Sequence, residues 1–128
     1  MTLIEVMVTL AIIGIIAAIA WPQFEGTRER SRRNEGVATV LLAHAYLEKC
    51  YSRVRDYTDT SCDLPAELTT SAQNNYDIGF QSRTADAYEL RATPKAGGNQ
   101  TGDTDCAILS ITNTGDKSAS TNTYCWPE

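Results

Sequence analysis

Residues 2–24, TLIEVMVTLAIIGIIAAIAWPQF, decide the fold of this chain. From Val6 to Phe24, nineteen consecutive residues carry no charge, and one acid, Glu5, stands just before them. An apolar run of about 18 residues or more can cross a bilayer as a helix. A secretory signal peptide is the competing reading, but it has a basic start, a shorter apolar run and a small-residue cleavage site. Here the run leads into a charged segment with helical periodicity. The pattern predicts a retained helix that sits in lipid at one stage and finds protein partners at another.

Glu5 is the residue that demands a partner. A carboxylate within an apolar helix costs roughly 2.5–3.5 kcal/mol on insertion scales. It is therefore expected to meet a cation or to take up a proton. The nearest candidate cation is the α-amino group of Met1, if the chain begins at a processed terminus. Along one helix that amine reaches its own Glu5 poorly, whereas it reaches Glu5 of a neighbouring copy staggered along the axis well. The alternative is an acid that stays at headgroup level.

These residues resemble the N-terminal region of type IV pilins: a small polar and aliphatic opening, Glu at position 5, a long apolar helix and Pro at position 22. Met1 stands where the family usually has Phe. The resemblance covers the first ~50 residues tightly and implies an inner-membrane precursor cut by a prepilin peptidase and methylated on the amine of Met1. The pilus assembly machinery would then draw subunits from the membrane into an extracellular homopolymer packed around its apolar helices, with Met1, Glu5, Gly14 and Pro22 as assembly residues. Gly14 and Pro22 weaken the helical ladder, so the segment between them is expected to lose helical hydrogen bonds in a filament.

The rest of the chain fits an α+β protein in which a long N-terminal helix packs on a small antiparallel sheet of three to four strands. Residues 1–24 form the apolar helix, 25–52 its amphipathic continuation and 53–128 a globular head. Residues 25–36, EGTRERSRRNEG, are a charge run. They read as a solvated helical face, or else Arg28, Arg30, Arg32 and Arg33 meet acids on adjacent subunits. Residues 37–52 return to apolar periodicity, with Val37, Val40, Leu41, Ala45, Leu47 and Tyr51 as the stripe facing the sheet. His44, the single histidine, reads as a packed helix residue.

Residues 53–75 form an irregular connector. Period-2 alternation then marks strands at Tyr76–Gln81 and Tyr88–Ala92. A third is expected at Asp105–Thr112 and a short fourth, at the edge, at Thr123–Trp126. A head this small is marginal without cross-links. Cys50, Cys62, Cys106 and Cys125 supply two disulfides with three possible connectivities. Cys50–Cys62 and Cys106–Cys125 are preferred because each closes a local loop. The pattern from Gln100 to Trp126, with its Cys and Trp, also resembles the C-terminal half of one branch of pilins, minor pilins included.

Catalysis finds no support, since a single His cannot furnish a Ser/His/Asp set and no Gly-rich loop joins a strand to a helix. No cofactor or metal is expected. The cysteines lack a C-x2-C pair for zinc, and Asp103 and Asp105 are commonplace as loop acids, though calcium takes such oxygens. Asn99-Gln-Thr101 fits a glycosylation acceptor or a plain polar loop. From residue 36 on, seven Lys/Arg face twelve Asp/Glu, which gives no basis for non-specific nucleic-acid binding. The expected role is a structural pilus subunit for adhesion, twitching motility or DNA uptake. The alternative is a minor pilin or secretion-system pseudopilin that primes or caps a filament.

Overall fold

A computed structural model describes residues 1–121 and 123–127. The chain falls into two units, Met1–Ser31 and a second beginning at Arg32. Helix α1 spans Leu3–Val54. Its first turn is closed by a reciprocal cap: Glu5 N–H donates to Thr2 Oγ1 (3.3 Å) and Thr2 N–H donates to Glu5 Oε2 (3.4 Å). This is the capping box of a Thr-x-x-Glu start. The helix ends where Arg55 turns left-handed (φ 58°) and its N–H closes back on the Tyr51 carbonyl at 2.9 Å.

Pro22 lies inside the helix, which in the single chain runs unbroken from Gly14 through Pro22. Proline removes one ladder bond. The bonds on either side persist because propagation is cheap once a helix has nucleated.

In the second unit the buried stripe is Gly36, Val37, Thr39, Val40, Ala43, Leu47 and Cys50. Leu41 and Ala45, expected on that stripe, are exposed. At 3.6 residues per turn, Ala45 lies about 200° from both Ala43 and Leu47, so it cannot share their face.

Strands β1 (Tyr76–Arg83), β2 (Tyr88–Pro94), β3 (Leu109–Thr112) and β4 (Lys117–Ala119) form an antiparallel meander in that order. Tyr76, Ile78, Tyr88, Leu90, Ala92, Leu109 and Ile111 turn inward against the helix stripe, and the core they form also takes in both disulfides, Tyr57 and Trp126. A bulge between Phe80 and Ser82 shifts the β1–β2 register, and pairing continues through Ser82–Glu89 and Arg83–Tyr88. The helix can lie close to β1 because Gly36 has no side chain. A β-carbon there would sit 2.8 Å from Cδ2 of Tyr76.

Two strand expectations are corrected. β3 begins at Leu109, not Asp105: the Asp105 carbonyl accepts from the Ser120 and Thr121 hydroxyls instead of entering a ladder. The fourth strand is Lys117–Ala119, not Thr123–Trp126. Gly115 (φ 86°) permits a tight turn in which Thr112 N–H bonds the Asp116 carbonyl at 3.0 Å. The chain thus folds straight back onto β3 and takes its free edge. Thr123–Cys125 form a 3-10 turn, and Trp126 Nε1 donates to the Ser118 carbonyl at 2.8 Å on the outer side of β4.

The connector contains two 3-10 turns, Thr60–Cys62 and Ala66–Leu68. Asp59 caps the first by accepting from both the hydroxyl and the N–H of Ser61, which holds its carboxyl below the usual range.

Candidate assembly site

In the first unit, residues 1–24 are all exposed. The most apolar 18-residue window of the helix has a mean hydropathy of 2.6, and none of it is buried. Leu3, Ile4, Leu10, Ile13, Ile16 and Ile19 each show 61–79% of their surface. At roughly 25 cal/mol per Å2 of apolar area, an uncovered face of this size has a strong drive to find lipid or protein. Glu5 sits at its start, with one carboxylate oxygen engaged by Thr2 N–H and acceptor capacity to spare. Nothing stands within 4 Å of a β-carbon built at Gly14.

The charge run divides in two. Arg28 lies over the Phe24 ring, 5.5 Å from its centroid, and Arg30 is exposed. Arg32 and Arg33 belong to the second unit and are already engaged there. Arg32 Nη1 donates to the Asn99 carbonyl at 3.3 Å. Arg33 grips Asp103 bidentately, and Gln100 Nε2 donates to the same carboxylate at 3.1 Å. Glu35 accepts from Gln73 N–H at 2.5 Å and Asn75 Nδ2 at 2.9 Å. One helix turn thereby ties down two loops, 71–75 and 98–103. Asp103, considered above as an oxygen ligand, is the anion that holds Arg33. These internal ties were not visible in the run itself, because Arg33 and Asp103 are 70 residues apart.

The disulfides are Cys50–Cys62 and Cys106–Cys125, each with a Cα–Cα distance of 5.5 Å. The first ties the end of α1 to the connector; the second ties the approach to β3 to the C-terminal turn. His44 is half-buried, its Nδ1 2.5 Å from the Tyr88 hydroxyl. Tyr57 and Tyr88 both reach Glu48 Oε1, at 2.8 and 3.0 Å. Burial, and then the bond to Glu48, raises both phenols well above their usual range. Burial likewise raises Tyr76, from 10.0 to about 12.

Fold and site together define an α+β protein whose first helix carries an apolar surface left open to its surroundings. A family model described as type IV minor pilin ComP, DNA uptake sequence receptor, matches residues 22–110. A second, the prokaryotic N-terminal methylation motif, matches residues 1–21. The chain belongs to the type IV pilin family. It is 32% identical to a fimbrial protein of Pseudomonas aeruginosa over 83 residues, covering 65% of this chain and 49% of that protein. It is 30% identical to the type IV major pilin PilA of Myxococcus xanthus over 96 residues, 75% of this chain and 37% of that one. The chain thus spans about half the length, or less, of these relatives. Among solved structures it resembles the non-core minor pilin PilV of Neisseria meningitidis, with TM-score 0.60 and 18% identity over 76% of this chain and 91% of that one. It also resembles a type IV pilin from Shewanella oneidensis, with TM-score 0.56 and 23% identity over 78% and 99% of the two chains. At these identities the likeness speaks for the fold.

Proposed function

We propose that this chain is a structural subunit of a type IV pilus, held in the inner membrane by residues 1–24 before assembly and packed by them into an extracellular filament afterwards. The observation that carries the reading is the exposed apolar surface from Leu3 to Phe24 with a lone carboxylate at its head. Lipid covers such a surface in the precursor, and the helices of other copies cover it in the polymer. The Met1 amine, methylated as the matching motif suggests, meets Glu5 of an adjacent copy. Arg28 and Arg30 are the cations of the run left to face acids on neighbours, since Arg32 and Arg33 serve the head. Gly14 and Pro22 lower the cost of reshaping the helix during assembly. No catalytic role is assigned to any residue.

Shearing cells and analysing the filament fraction by peptide mass spectrometry tests this. The chain should be a stoichiometric component carrying one methyl group on its N-terminal amine; its absence from sheared filaments would refute the proposal.

A second reading, a minor pilin that primes or caps the filament, is favoured by the family model over residues 22–110. In that case the chain would occur in trace amount beside a different major subunit. For the DNA-receptor part of that description, four of the seven cations from residue 36 on, Lys49, Arg53, Arg55 and Lys117, form no ion pair among the described residues. Arg83, Arg91 and Lys95 each lie within 4.0 Å of a carboxylate oxygen, at 2.8, 3.7 and 3.6 Å. Gel-shift titration of the intact chain with duplex DNA decides: binding that survives physiological salt would support a receptor, and none would leave the structural role alone.

A further inference from the structure

Thr9 is an isolated polar residue on the apolar helix. From Val6 to Ala20 it is the one side chain that carries an oxygen or a nitrogen. It follows Glu5 by four residues, so the two project from one face of α1, about 40° apart around the axis and with β-carbons roughly 5–6 Å apart. Both side chains are exposed.

The Thr9 hydroxyl is already committed as a donor. Oγ1 donates to the Val6 carbonyl at 2.8 Å. Its proton is used within the helix, so the residue can rest in lipid without a partner. What it offers outward is the lone pairs of the oxygen, an acceptor and no donor. An ionised Glu5 is also acceptor only. Its Oε2 takes the Thr2 N–H at 3.4 Å, and no hydrogen bond reaches Oε1 among the described residues. Thr2 Oγ1 receives the Glu5 N–H at 3.3 Å, so the cap occupies it. Two acceptors, one charged and one neutral, therefore stand side by side on an apolar surface with no donor between them.

The group that fits is a cation with two N–H bonds to give. The methylation motif over residues 1–21 points to an α-amine that carries one methyl group. Such an ammonium keeps two N–H donors. Set tetrahedrally at about 2.9 Å each, they reach acceptors about 4.7 Å apart, which an i, i+4 pair can present. Glu5 alone would leave the second N–H unmade in apolar surroundings, which is unfavourable. The amine of the same helix lies eight residues from Thr9, about 12 Å along the axis, so the cation comes from a second copy. Its methyl group meets Ile12 and Ile13, three and four residues beyond Thr9 on the same face and both exposed. We propose that Thr9 is the second acceptor for the methylated Met1 amine of an adjacent copy, one N–H going to Glu5 Oε1 and the other to Thr9 Oγ1. This rests on the pilus-subunit reading and adds to it a residue that positions the incoming amine.

Filament yield tests it, measured as the ratio of sheared to membrane-held subunit in cells making the full chain. Thr9→Val keeps the shape and loses the acceptor. The ratio should fall about tenfold, as expected for one hydrogen bond to a charged group. Thr9→Ser, which keeps the acceptor, should stay within about twofold of the parent. A second readout would not respond to a role confined to the helix: solid-state NMR of filaments mixed from subunits isotope-labelled at the methionine nitrogens and subunits labelled at the threonine β-carbons. The Met1 amine nitrogen should lie about 4 Å from a threonine β-carbon of another copy, and that coupling should vanish when the threonine-labelled subunits carry Thr9→Ser. A Thr9→Val ratio equal to that of the parent, no such coupling in parent filaments, or a coupling that survives Thr9→Ser would each overturn the role of Thr9 and leave the pairing of Glu5 standing. Glu5→Gln filaments at the parental yield would remove both.

Discussion

Arg33 holds Asp103 by two parallel hydrogen bonds, Nε to Oδ2 at 2.9 Å and Nη2 to Oδ1 at 2.8 Å, across 70 residues of chain. The Asp103 side chain is 4% exposed and that of Arg33 17%. The pair is thus mostly out of water, and its loss leaves a charge without its partner. Asp103→Ala should lower unfolding stability by about 2–3 kcal/mol. Arg32→Ala, which removes one long bond to a carbonyl, should cost less than about 1 kcal/mol. Urea midpoints of the two variants against the parent check the difference.

Gly36 and Gly26 lie in the same helix but predict opposite outcomes. Alanine at Gly36 would push a methyl group to 2.8 Å from the buried Tyr76 ring, whereas at Gly26 nothing lies within 4 Å. Overpacking of this kind costs about 1–3 kcal/mol, against about 1 kcal/mol gained in helix propensity. Gly26→Ala should therefore raise the thermal midpoint or leave it unchanged, and Gly36→Ala should lower it.

How far the fold could be read in advance follows from how local each determinant is. Residues 2–24 announce a helix by hydropathy alone. Tyr76/Ile78 and Tyr88/Leu90 announce β1 and β2 because one face is buried and the other wet. The two disulfides follow from local loop closure. β4 escaped because Lys117-Ser-Ala119 has no apolar alternation: its place is set by the Gly115 turn and by Trp126 folding back onto Ser118. The role of Arg33 escaped because its partner is distant in sequence. The Thr2–Glu5 cap, by contrast, was present as a Thr-x-x-Glu signature ahead of an apolar run, and it gives Glu5 a local hydrogen bond beside any partner in another copy.

Three tyrosines make the head sensitive to alkali. Tyr57, Tyr76 and Tyr88 all titrate above their usual 10.0 when folded, Tyr76 at about 12. Above pH 10 the unfolded chain loses these protons while the native head keeps them, so the unfolded state binds fewer protons and stability falls as pH rises. Below pH 10 this contribution is fully present. Melting midpoints should be insensitive to these groups between pH 7 and 9 and drop steeply from about pH 10 to 12. The phenolate absorbance should appear together with unfolding. Tyr76→Phe should soften the drop.

The disulfides close loops with sequence separations of 12 and 19 residues. Each should contribute about 3 kcal/mol through the unfolded state. Paired Cys→Ser replacements at Cys50 and Cys62, or at Cys106 and Cys125, should lower the urea midpoint by comparable amounts. An unchanged midpoint in either pair would show that the staple is dispensable.

The most direct test of assembly through the first helix is the filament yield of Glu5→Gln. Glutamine keeps the capping box with Thr2 and enters lipid more easily than a carboxylate, so helix start and membrane insertion survive the change. Only the charge that would meet another copy's amine is lost. Quantified in the sheared fraction by immunoblot and electron microscopy, with membrane levels of the subunit matched to wild type, filaments should be absent or reduced to traces. Filaments at the wild-type yield would contradict pairing of Glu5 between copies and with it the assembly account.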